Sequence, residues 1–181
     1  MIERILKLDA KLSYALRINS VEGLWGKVFA FFAHSGDSWF WLAGMGIIWI
    51  FAKNKWHNYA GFLAISIFAL ALLVLAIKFT VKRTRPPGEW GEVYRATDPH
   101  SFPSGHAARA IMLAVLAMAL GPQWFGILVV IWAPLVTLAR VVMGLHYVSD
   151  VLAGAILGLL SGYFFIWLHP WMLDYVPIVF R

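Results

Sequence analysis

The sequence contains no cysteine and unusually little charge for its length. Of its 181 residues, 13% are charged and 61% are hydrophobic, whereas a soluble domain is typically about a quarter charged and half apolar. The absence of cysteine excludes disulfides and cysteine-ligated metals. The scarcity of charge excludes an ordinary soluble domain, so the composition predicts an integral membrane protein.

Acidic residues are scarce as well: 9 Asp and Glu stand against 15 Lys and Arg, which gives a formal net charge of +6. Much of the positive charge lies between hydrophobic runs, so the expected partner is anionic lipid in a bilayer and not nucleic acid. Residues 1–17 lack the uninterrupted apolar core of a signal peptide. A polar linker is also lacking, which favours one domain over residues 1–181.

The hydrophobic pattern predicts an all-α fold, a polytopic transmembrane helix bundle with five spans and a possible sixth. Residues 1–34 are expected to form interfacial helices, beginning with an amphipathic helix over 2–16. A solvated helix packed on the protein's own surface fits that first segment equally well. The transmembrane core is expected over 38–169, with spans at 39–52, 58–80, 104–120, 123–142 and 148–168.

Three polar clusters interrupt the second half of the sequence: residues 78–86, the Pro-Ser-Gly-His run at 103–106, and the set Arg140, His146 and Asp150. The span over 58–80 delivers the first cluster to one membrane face. The helix that starts at 104 leaves from that face, and the following helix returns to it with Arg140. We therefore expect all three clusters to meet at one face of the membrane.

The first two clusters have the properties of an anion site. Lys78, Lys82 and Arg85 share one face if their helix continues. Cations gathered near hydrocarbon are costly unless an anion binds them, although a basic collar that snorkels at a helix end is also common. Ser104 is a good N-cap for the next helix, and Gly105 allows an oxygen to approach the free N–H groups of the first turn.

The third cluster supplies residues for chemistry. His146 and Asp150 are four apart and share a helix face, so the carboxylate could orient the imidazole and leave its other nitrogen as a base or nucleophile. Arg140 adds a forked donor suited to phosphate oxygens. A buried polar pair between helices is one alternative. A zinc site with His106 is another, but the neighbouring cations favour an anion there, and no metal or other cofactor is expected.

The motifs Lys-x6-Arg-Pro, Pro-Ser-Gly-His and Arg-x5-His-x3-Asp, in this order over residues 78–150, resemble the three signature motifs of the type 2 phosphatidic acid phosphatase superfamily. That family includes bacterial lipid phosphatases and, on a soluble fold, vanadium haloperoxidases. One departure is Ala139, where the family's third motif usually has serine before Arg140. The departure affects one hydroxyl contact and leaves the other motif residues in place.

The resemblance implies a role for each motif residue. His146 would attack phosphorus and form a phosphohistidine, Asp150 would orient His146, and His106 would protonate the leaving oxygen and then activate water. The phosphoryl oxygens would be held by Lys78, Arg85, Ser104, the Gly105 N–H and Arg140. Arg109, three residues after His106, is expected to contact the headgroup, and Lys82 has a weaker claim to the same role.

The expected function is metal-independent hydrolysis of a lipid phosphate or pyrophosphate. Family members act on phosphatidylglycerol phosphate, undecaprenyl pyrophosphate, phosphatidic acid or lipid A. A lipid phosphotransferase using the same histidine is one alternative, and a non-catalytic protein that binds or transports anionic lipid is another. Binding alone would not require His106, His146 and Asp150 together, which argues against the latter.

The expected location is a bacterial inner membrane, with the protein a monomer and its site facing the periplasm. Lys53 and Lys55 fall on the face opposite the motifs, and basic loops favour the cytoplasmic side. The cations of the site itself are needed for anion binding, so they carry no topological information. The outward orientation is also what the family resemblance implies.

Overall fold

The structure, a computed structural model, describes residues 2–18, 22–53, 55–87, 98–176 and 180. Within these ranges the chain is helical, as predicted, and contains no strand. Residues 88–97, in the polar stretch between the spans predicted at 58–80 and 104–120, lie outside the described residues. The helices are α1 (Ile2–Ala15), α2 (Leu24–Ser35), α3 (Ser38–Phe51), α4 (Lys55–Val81), α5 (Gly105–Leu120), α6 (Gln123–Val142) and α7 (Val148–Tyr175).

Three of these helices are long and apolar enough to cross a membrane. They are α4, α6 and α7, with 27, 20 and 28 residues, and a helix needs about 20 residues to cross a hydrocarbon layer. Helices α3 and α5 are apolar but have 14 and 16 residues. The spans predicted at 39–52 and 104–120, and the possible sixth, therefore remain predictions.

The end of α4 differs from the predicted continuation of the helix. The helix stops at Val81, and Lys82 adopts a positive φ of 52°, because the prolines that follow disfavour helical geometry in this segment. The prediction that Lys78, Lys82 and Arg85 share one helix face is therefore wrong. Arg85 instead reaches Lys78 through a short extended segment, which pairs with residues 98–101 by a bridge between Thr84 and His100.

Gly154, Gly158 and Gly162, four residues apart on α7, form a stripe of small residues that packs against α5. A Cβ added at Gly158 would lie less than 3.0 Å from the carbonyl oxygen of Ala108, and one at Gly154 would lie 2.5 Å from that of Ser104. Both contacts are within one chain. The close approach of α7 seats Ser104, and with it the start of α5, against the helix that carries Asp150.

The apolar side chains of the bundle point both inward and outward. The buried core between α4, α5 and α6 contains Phe62, Leu63, Ile67, Met112, Leu113, Leu116 and Val136. The outer surfaces of the candidate spans expose further large apolar side chains, among them Phe68, Leu72, Leu128, Ile131, Ile156 and Leu160. Such an outer surface fits a lipid environment, because water would penalise it.

Helix α1 is bound to the rest of the protein through Asp9 and Ser13. The carboxylate of Asp9 accepts hydrogen bonds from Arg83 Nη2 (2.7 Å) and Ser149 N (3.0 Å), and Ser13 Oγ accepts one from Val148 N (2.9 Å). Its large apolar side chains are exposed, as is Leu16 just beyond its end; those of the helix are Ile5, Leu6, Leu8, Leu12 and Tyr14. This arrangement agrees with a helix in the membrane interface, although that location remains a prediction.

Candidate active site

The three sequence clusters meet where α4 and α6 end and α5 and α7 begin. Arg85 Nη1 of the first cluster lies 3.2 Å from His146 Nε2 of the third. The backbone N–H of Ser104 in the second cluster donates to the carbonyl of Asp150 at 3.0 Å. The predicted convergence is therefore observed, across separations of up to 67 residues along the chain, between Arg83 and Asp150.

The ring of His146 is held with one nitrogen available for chemistry. Its Nδ1 lies 2.8 Å from the carbonyl oxygen of Ser101, and a carbonyl can only accept, so Nδ1 carries the proton. The lone pair is then on Nε2, which faces Arg85. The loop before it is closed by hydrogen bonds from Leu145 N and His146 N to the carbonyl of Arg140, both at 3.1 Å, and by Gly144 at a φ of +67°.

Burial keeps this imidazole neutral. The side chain of His146 is 1% exposed, and its pKa is lowered well below 6.5 by desolvation and then by the charges of Arg140, Arg85 and Lys78. Both causes disfavour the protonated ring. Nε2 therefore keeps its lone pair at neutral pH, as a nucleophile requires.

We expect this depressed pKa to make the free energy of unfolding depend on pH. The unfolded chain takes up a proton on this ring near pH ~6.5, while the folded protein does not, so stability is fully present above that pH and falls below it. The contribution is at most about 1.4 kcal/mol per pH unit. Unfolding of the wild type and of His146→Gln in detergent, between about pH 7 and pH 5, should show the steeper loss in the wild type. An equal dependence of the free energy of unfolding on pH in the two proteins would contradict the prediction.

Lys78 and Arg85 converge on one carboxylate. Lys78 Nζ contacts Asp98 Oδ2 and donates to the carbonyl of His100 at 2.9 Å. Arg85 Nη2 donates to the same Asp98 oxygen at 2.8 Å, and Arg85 Nε donates to the Asp98 carbonyl at 2.7 Å. The Asp98 carboxylate thus binds the donors that were predicted to hold phosphoryl oxygens.

Asp98 remains an anion in this position. Burial by itself raises the pKa of this carboxyl, but the hydrogen bond from Lys78 and the charges of Lys78 and Arg85 outweigh it and hold the pKa below 3.8. Its side chain is 38% exposed, so it lies at the mouth of the site. A dianionic phosphate group would compete with it for the same two cations.

The remaining predicted phosphate ligands lie around this pair. Ser104 is the N-cap of α5, and its Oγ accepts from Ala107 N at 3.5 Å. Gly105 is the first residue of the same helix, whose N-terminal N–H groups favour anions. Arg140 is fully buried at the end of α6, and its Nη1 donates to the carbonyl of Ala33 at 3.0 Å.

Asp150 is held mainly by groups other than His146. Its Oδ1 accepts from Arg83 Nη1 at 2.6 Å, and its Oδ2 accepts from Tyr147 N at 2.9 Å. The distance from Oδ2 to His146 Nδ1 is 3.7 Å, which is beyond a hydrogen bond. Asp150 therefore acts on the imidazole through its charge and through the start of α7, and Ser101 makes the direct contact.

His106 has a carboxylate partner that the sequence did not reveal. Its Nε2 lies 2.6 Å from Asp37 Oδ1, in the turn between α2 and α3. Helix α3 starts at the face where α4 ends, because a helix pair returns the chain to its starting side. The parity of the spans could therefore have placed Asp37 at the site, but nothing local to Asp37 indicates a partner 69 residues away.

Arg109 and Lys82 differ in their surroundings. Arg109 Nε donates to the carbonyl of Gly36 at 2.8 Å, Nη2 contacts the same oxygen, and Nη1 contacts Ser38 Oγ. These contacts hold the α2–α3 turn, and the contact between Arg109 and the headgroup stays a prediction. Lys82 is exposed beyond the end of α4.

A cavity of about 200 Å³ lies beside His146. Helix α1 forms one wall of it, and the segments on either side of the site form the rest. Its lining residues are Ala10, Ser13, Tyr14, Arg17, Pro86, Pro87, Gly144, His146 and Tyr147. The cavity therefore lies between α1 and the loop that carries His146, and most of the surface around it is apolar.

Together these features define a helical protein with three candidate membrane spans and a buried histidine beside a cluster of cationic side chains. Residues 59–173 match the family model of the PAP2 superfamily. Because this match covers more than half of the chain, the chain belongs to the PAP2 superfamily, as the motifs predicted. This membership identifies it as an integral membrane enzyme of the lipid phosphatase class.

Individual relatives agree with this membership. The chain is 28% identical over 161 residues to an undecaprenyl-diphosphatase of Sulfolobus acidocaldarius, covering 86% of this chain and 76% of the relative. It is 42% identical over 65 residues to a lipid A 4′-phosphatase of Bacteroides thetaiotaomicron, covering 35% of this chain but only 29% of that longer protein.

A solved structure has the same fold. The transmembrane PAP2-type phosphatidylglycerolphosphate phosphatase of Bacillus subtilis superposes with a TM-score of 0.73 at 25% identity, covering 95% of this chain and 89% of that chain. The similarity includes the N-terminal helices as well as the motif-bearing bundle, because nearly the whole chain is aligned.

Proposed function

We propose that this protein hydrolyses a phosphate or pyrophosphate group of a membrane lipid, without a metal ion, through a phosphohistidine on His146. One observation carries the proposal. The unprotonated Nε2 of His146 lies 3.2 Å from Arg85 Nη1, in a site whose other charged groups include Lys78 and Arg140. A nucleophile aimed into an oxyanion site is the arrangement that phosphoryl transfer needs.

The first step transfers the phosphoryl group to the enzyme. His146 Nε2 forms a bond to phosphorus while the bond from phosphorus to the leaving oxygen breaks. His106 donates a proton to that oxygen, which leaves as an alcohol or as a lipid monophosphate. The charge that builds up on the phosphoryl oxygens is neutralised by Lys78, Arg85, Ser104, the Gly105 N–H and Arg140, so fixed cations do what a magnesium ion does in other phosphotransferases.

The second step releases inorganic phosphate. His106, now unprotonated, takes a proton from a water molecule, whose oxygen attacks the phosphohistidine. The bond from phosphorus to Nε2 breaks, and its electron pair returns to the ring. Asp150 contributes negative charge close to His146 Nδ1, which stabilises the ring while it carries the phosphoryl group. Arg109 holds the turn between α2 and α3, and Lys82, which is exposed beyond the end of α4, would contact the headgroup.

The substrate's acyl or polyprenyl chains would remain in the bilayer while the headgroup enters the site. The exposed apolar face of α1 would lie in the interface, and the cavity beneath it would admit the headgroup to His146. We place the protein as a monomer in the plasma membrane, with the site on the outer, periplasmic face. Lys53 lies at the other end of α3 and supports that end as cytoplasmic.

The test is phosphate release from a panel of four lipids in detergent with excess EDTA. The panel contains undecaprenyl pyrophosphate, phosphatidylglycerol phosphate, phosphatidic acid and lipid A. Release that resists EDTA supports the proposal, and the preferred lipid identifies the substrate class. Release abolished by EDTA would contradict the metal-free mechanism. Transfer to an added acceptor alcohol in place of water would identify a phosphotransferase.

We expect Asp98→Asn to tighten the binding of oxyanions about tenfold, a free-energy change of about 1.4 kcal/mol. The substitution removes the carboxylate that competes with phosphate for Lys78 and Arg85. Inhibition of lipid hydrolysis by orthovanadate gives the measurement, as a lower inhibition constant. Asp174→Asn, at the exposed far end of α7, is the matched control. An unchanged or weaker inhibition constant in Asp98→Asn would show that the carboxylate does not compete.

A further inference from the structure

The carboxylate of Asp37 is placed unlike that of an ordinary helix cap. Asp37 is the N-cap residue of α3, a position where a carboxylate commonly accepts from the first turn. Within the described residues it makes no such capping bond. Its Oδ1 is 2.6 Å from His106 Nε2, and its Oδ2 is 3.6 Å from His34 Nδ1. The usual local contact is replaced by one to a histidine on another helix.

The turn that carries Asp37 is clamped from the helix that carries His106. Arg109 lies three residues after His106, and its guanidinium contacts the Gly36 carbonyl and Ser38 Oγ. Residues on both sides of Asp37 are thus tied to α5. The packing is tight, because a Cβ added at Gly36 would lie 3.2 Å from His106 Cδ2. The carboxylate is therefore held in a defined position relative to the imidazole.

The charges around His106 explain why such a partner is needed. The side chain is 15% exposed, and burial disfavours a charged ring. The groups that face it are mostly cationic or neutral: Arg109 of its own helix, Lys78 of α4, Arg140 of α6 and His146 of the α6–α7 loop. A general acid must hold a proton before the leaving oxygen departs. Asp37 supplies negative charge at hydrogen-bond distance.

We infer that Asp37 is a positioning residue for the general acid, holding His106 through Nε2 in its protonated form so that Nδ1 faces the leaving oxygen. This inference rests on the proposed function, in which His106 protonates the leaving group. Arg109 is then also a positioning residue, because without its contacts to Gly36 and Ser38 the turn that carries Asp37 would no longer be held against α5. The phosphate ligands Lys78 and Arg85 are not involved.

The test compares two leaving groups on the same preparation of enzyme. An alkyl phosphate such as phosphatidic acid needs a proton on the departing oxygen, whereas the nitrophenolate of p-nitrophenyl phosphate leaves without one. For Asp37→Asn we expect kcat/KM to fall about 100-fold on phosphatidic acid, the lower end of what a general acid contributes, and to fall far less on p-nitrophenyl phosphate. The ratio of the two rates does not depend on the folded fraction.

Controls separate this role from a structural one. Asp37→Glu keeps the charge and should recover part of the loss. Ser35→Ala alters the same turn, where Ser35 Oγ accepts from Trp132 Nε1 at 2.9 Å, and should leave the ratio unchanged. In the pH profile of kcat on phosphatidic acid, the decrease at alkaline pH should begin at a lower pH in Asp37→Asn, because protonated His106 loses the carboxylate that stabilises it. Equal losses on both substrates, or no loss on either, would overturn the inference.

A double variant distinguishes failure of the inference from failure of the proposed function. If Asp37 acts through His106, the variant with both Asp37→Asn and His106→Ala should be no slower than His106→Ala alone; additive losses overturn the inference only. If His106→Ala retains wild-type turnover of phosphatidic acid, the proposed mechanism itself fails. If Asp37→Asn does not yield folded protein, Arg109→Lys takes its place. That variant must lose more kcat/KM on phosphatidic acid than on p-nitrophenyl phosphate, and a wild-type ratio of the two overturns the inference.

Discussion

Replacing His146 by alanine is expected to abolish lipid phosphate release, lowering kcat by about 10⁴-fold or more. The reason is that the proposed reaction has no other nucleophile: Nε2 forms the bond to phosphorus, and no neighbouring side chain replaces it. The measurement is phosphate release from the preferred lipid in detergent, together with trapping of acid-labile radiolabelled phosphate on the protein. The label should be present in the wild type and lost in the variant.

The matched control is His57→Ala. His57 lies at the opposite end of the bundle, where its Nδ1 bonds to the carbonyl of Trp49 at 2.7 Å, so its loss removes a histidine without touching the site. We expect that variant to retain turnover within a few-fold of the wild type. Wild-type turnover in a folded His146→Ala protein would refute the phosphohistidine mechanism. Loss of the label with turnover retained would refute the covalent step.

Gly158→Ala is expected to lower the free energy of unfolding by about 1–3 kcal/mol, the usual cost of overpacking. The added Cβ would lie less than 3.0 Å from the carbonyl oxygen of Ala108, and a backbone atom cannot move aside without separating α5 from α7. Because the start of α5 carries Ser104 and the start of α7 carries Asp150, the same separation should also lower activity. Thermal unfolding in detergent measures the first effect.

Gly46→Ala in α3 is the control for this prediction. A Cβ at Gly46 meets no atom within 4 Å, so alanine there should be neutral or stabilising by up to about 1 kcal/mol through its higher helix propensity. If both substitutions shift the unfolding midpoint equally, the close packing of α5 and α7 does not limit stability. If Gly158→Ala proves stabilising, the two helices are less tightly packed than the structure places them.

Local patterns in the sequence were enough to predict most of the fold. Hydrophobic runs located α3 to α6 and the start of α7 within a few residues, because apolar length and turn residues act over short distances. The end of α7 lies at Tyr175, beyond the predicted end at 168. The glycine spacing of α7 is a local pattern of the same kind, since small residues four apart lie on one helix face and allow a close helix contact. The end of α4 was misjudged at Lys82, because a helical continuation and an extended segment before Pro86 both fit the same basic residues.

The motifs also predicted which residues gather at the site, but not how they pair. Lys78 and Arg85 were expected on one helix face, and the structure brings them together through Asp98 on a separate segment. Asp150 was expected to bond His146 directly, and the ring is bonded by Ser101 instead. Arg109 was expected at the headgroup, and it holds the turn before α3.

The sequence by itself determined the class of protein, the helices and the residues that gather at one membrane face. The membrane class and the helices follow from composition and periodicity, and the meeting of the clusters follows from the parity of successive spans. The enzyme class follows from the resemblance of the three motifs to a known family. Only the tertiary structure decided that Asp37 pairs with His106, that Asp98 bridges the two cations and that Asp9 ties α1 to Arg83. Such ion pairs depend on the rotation and depth of helices relative to one another, which packing across the whole bundle sets and no local pattern records.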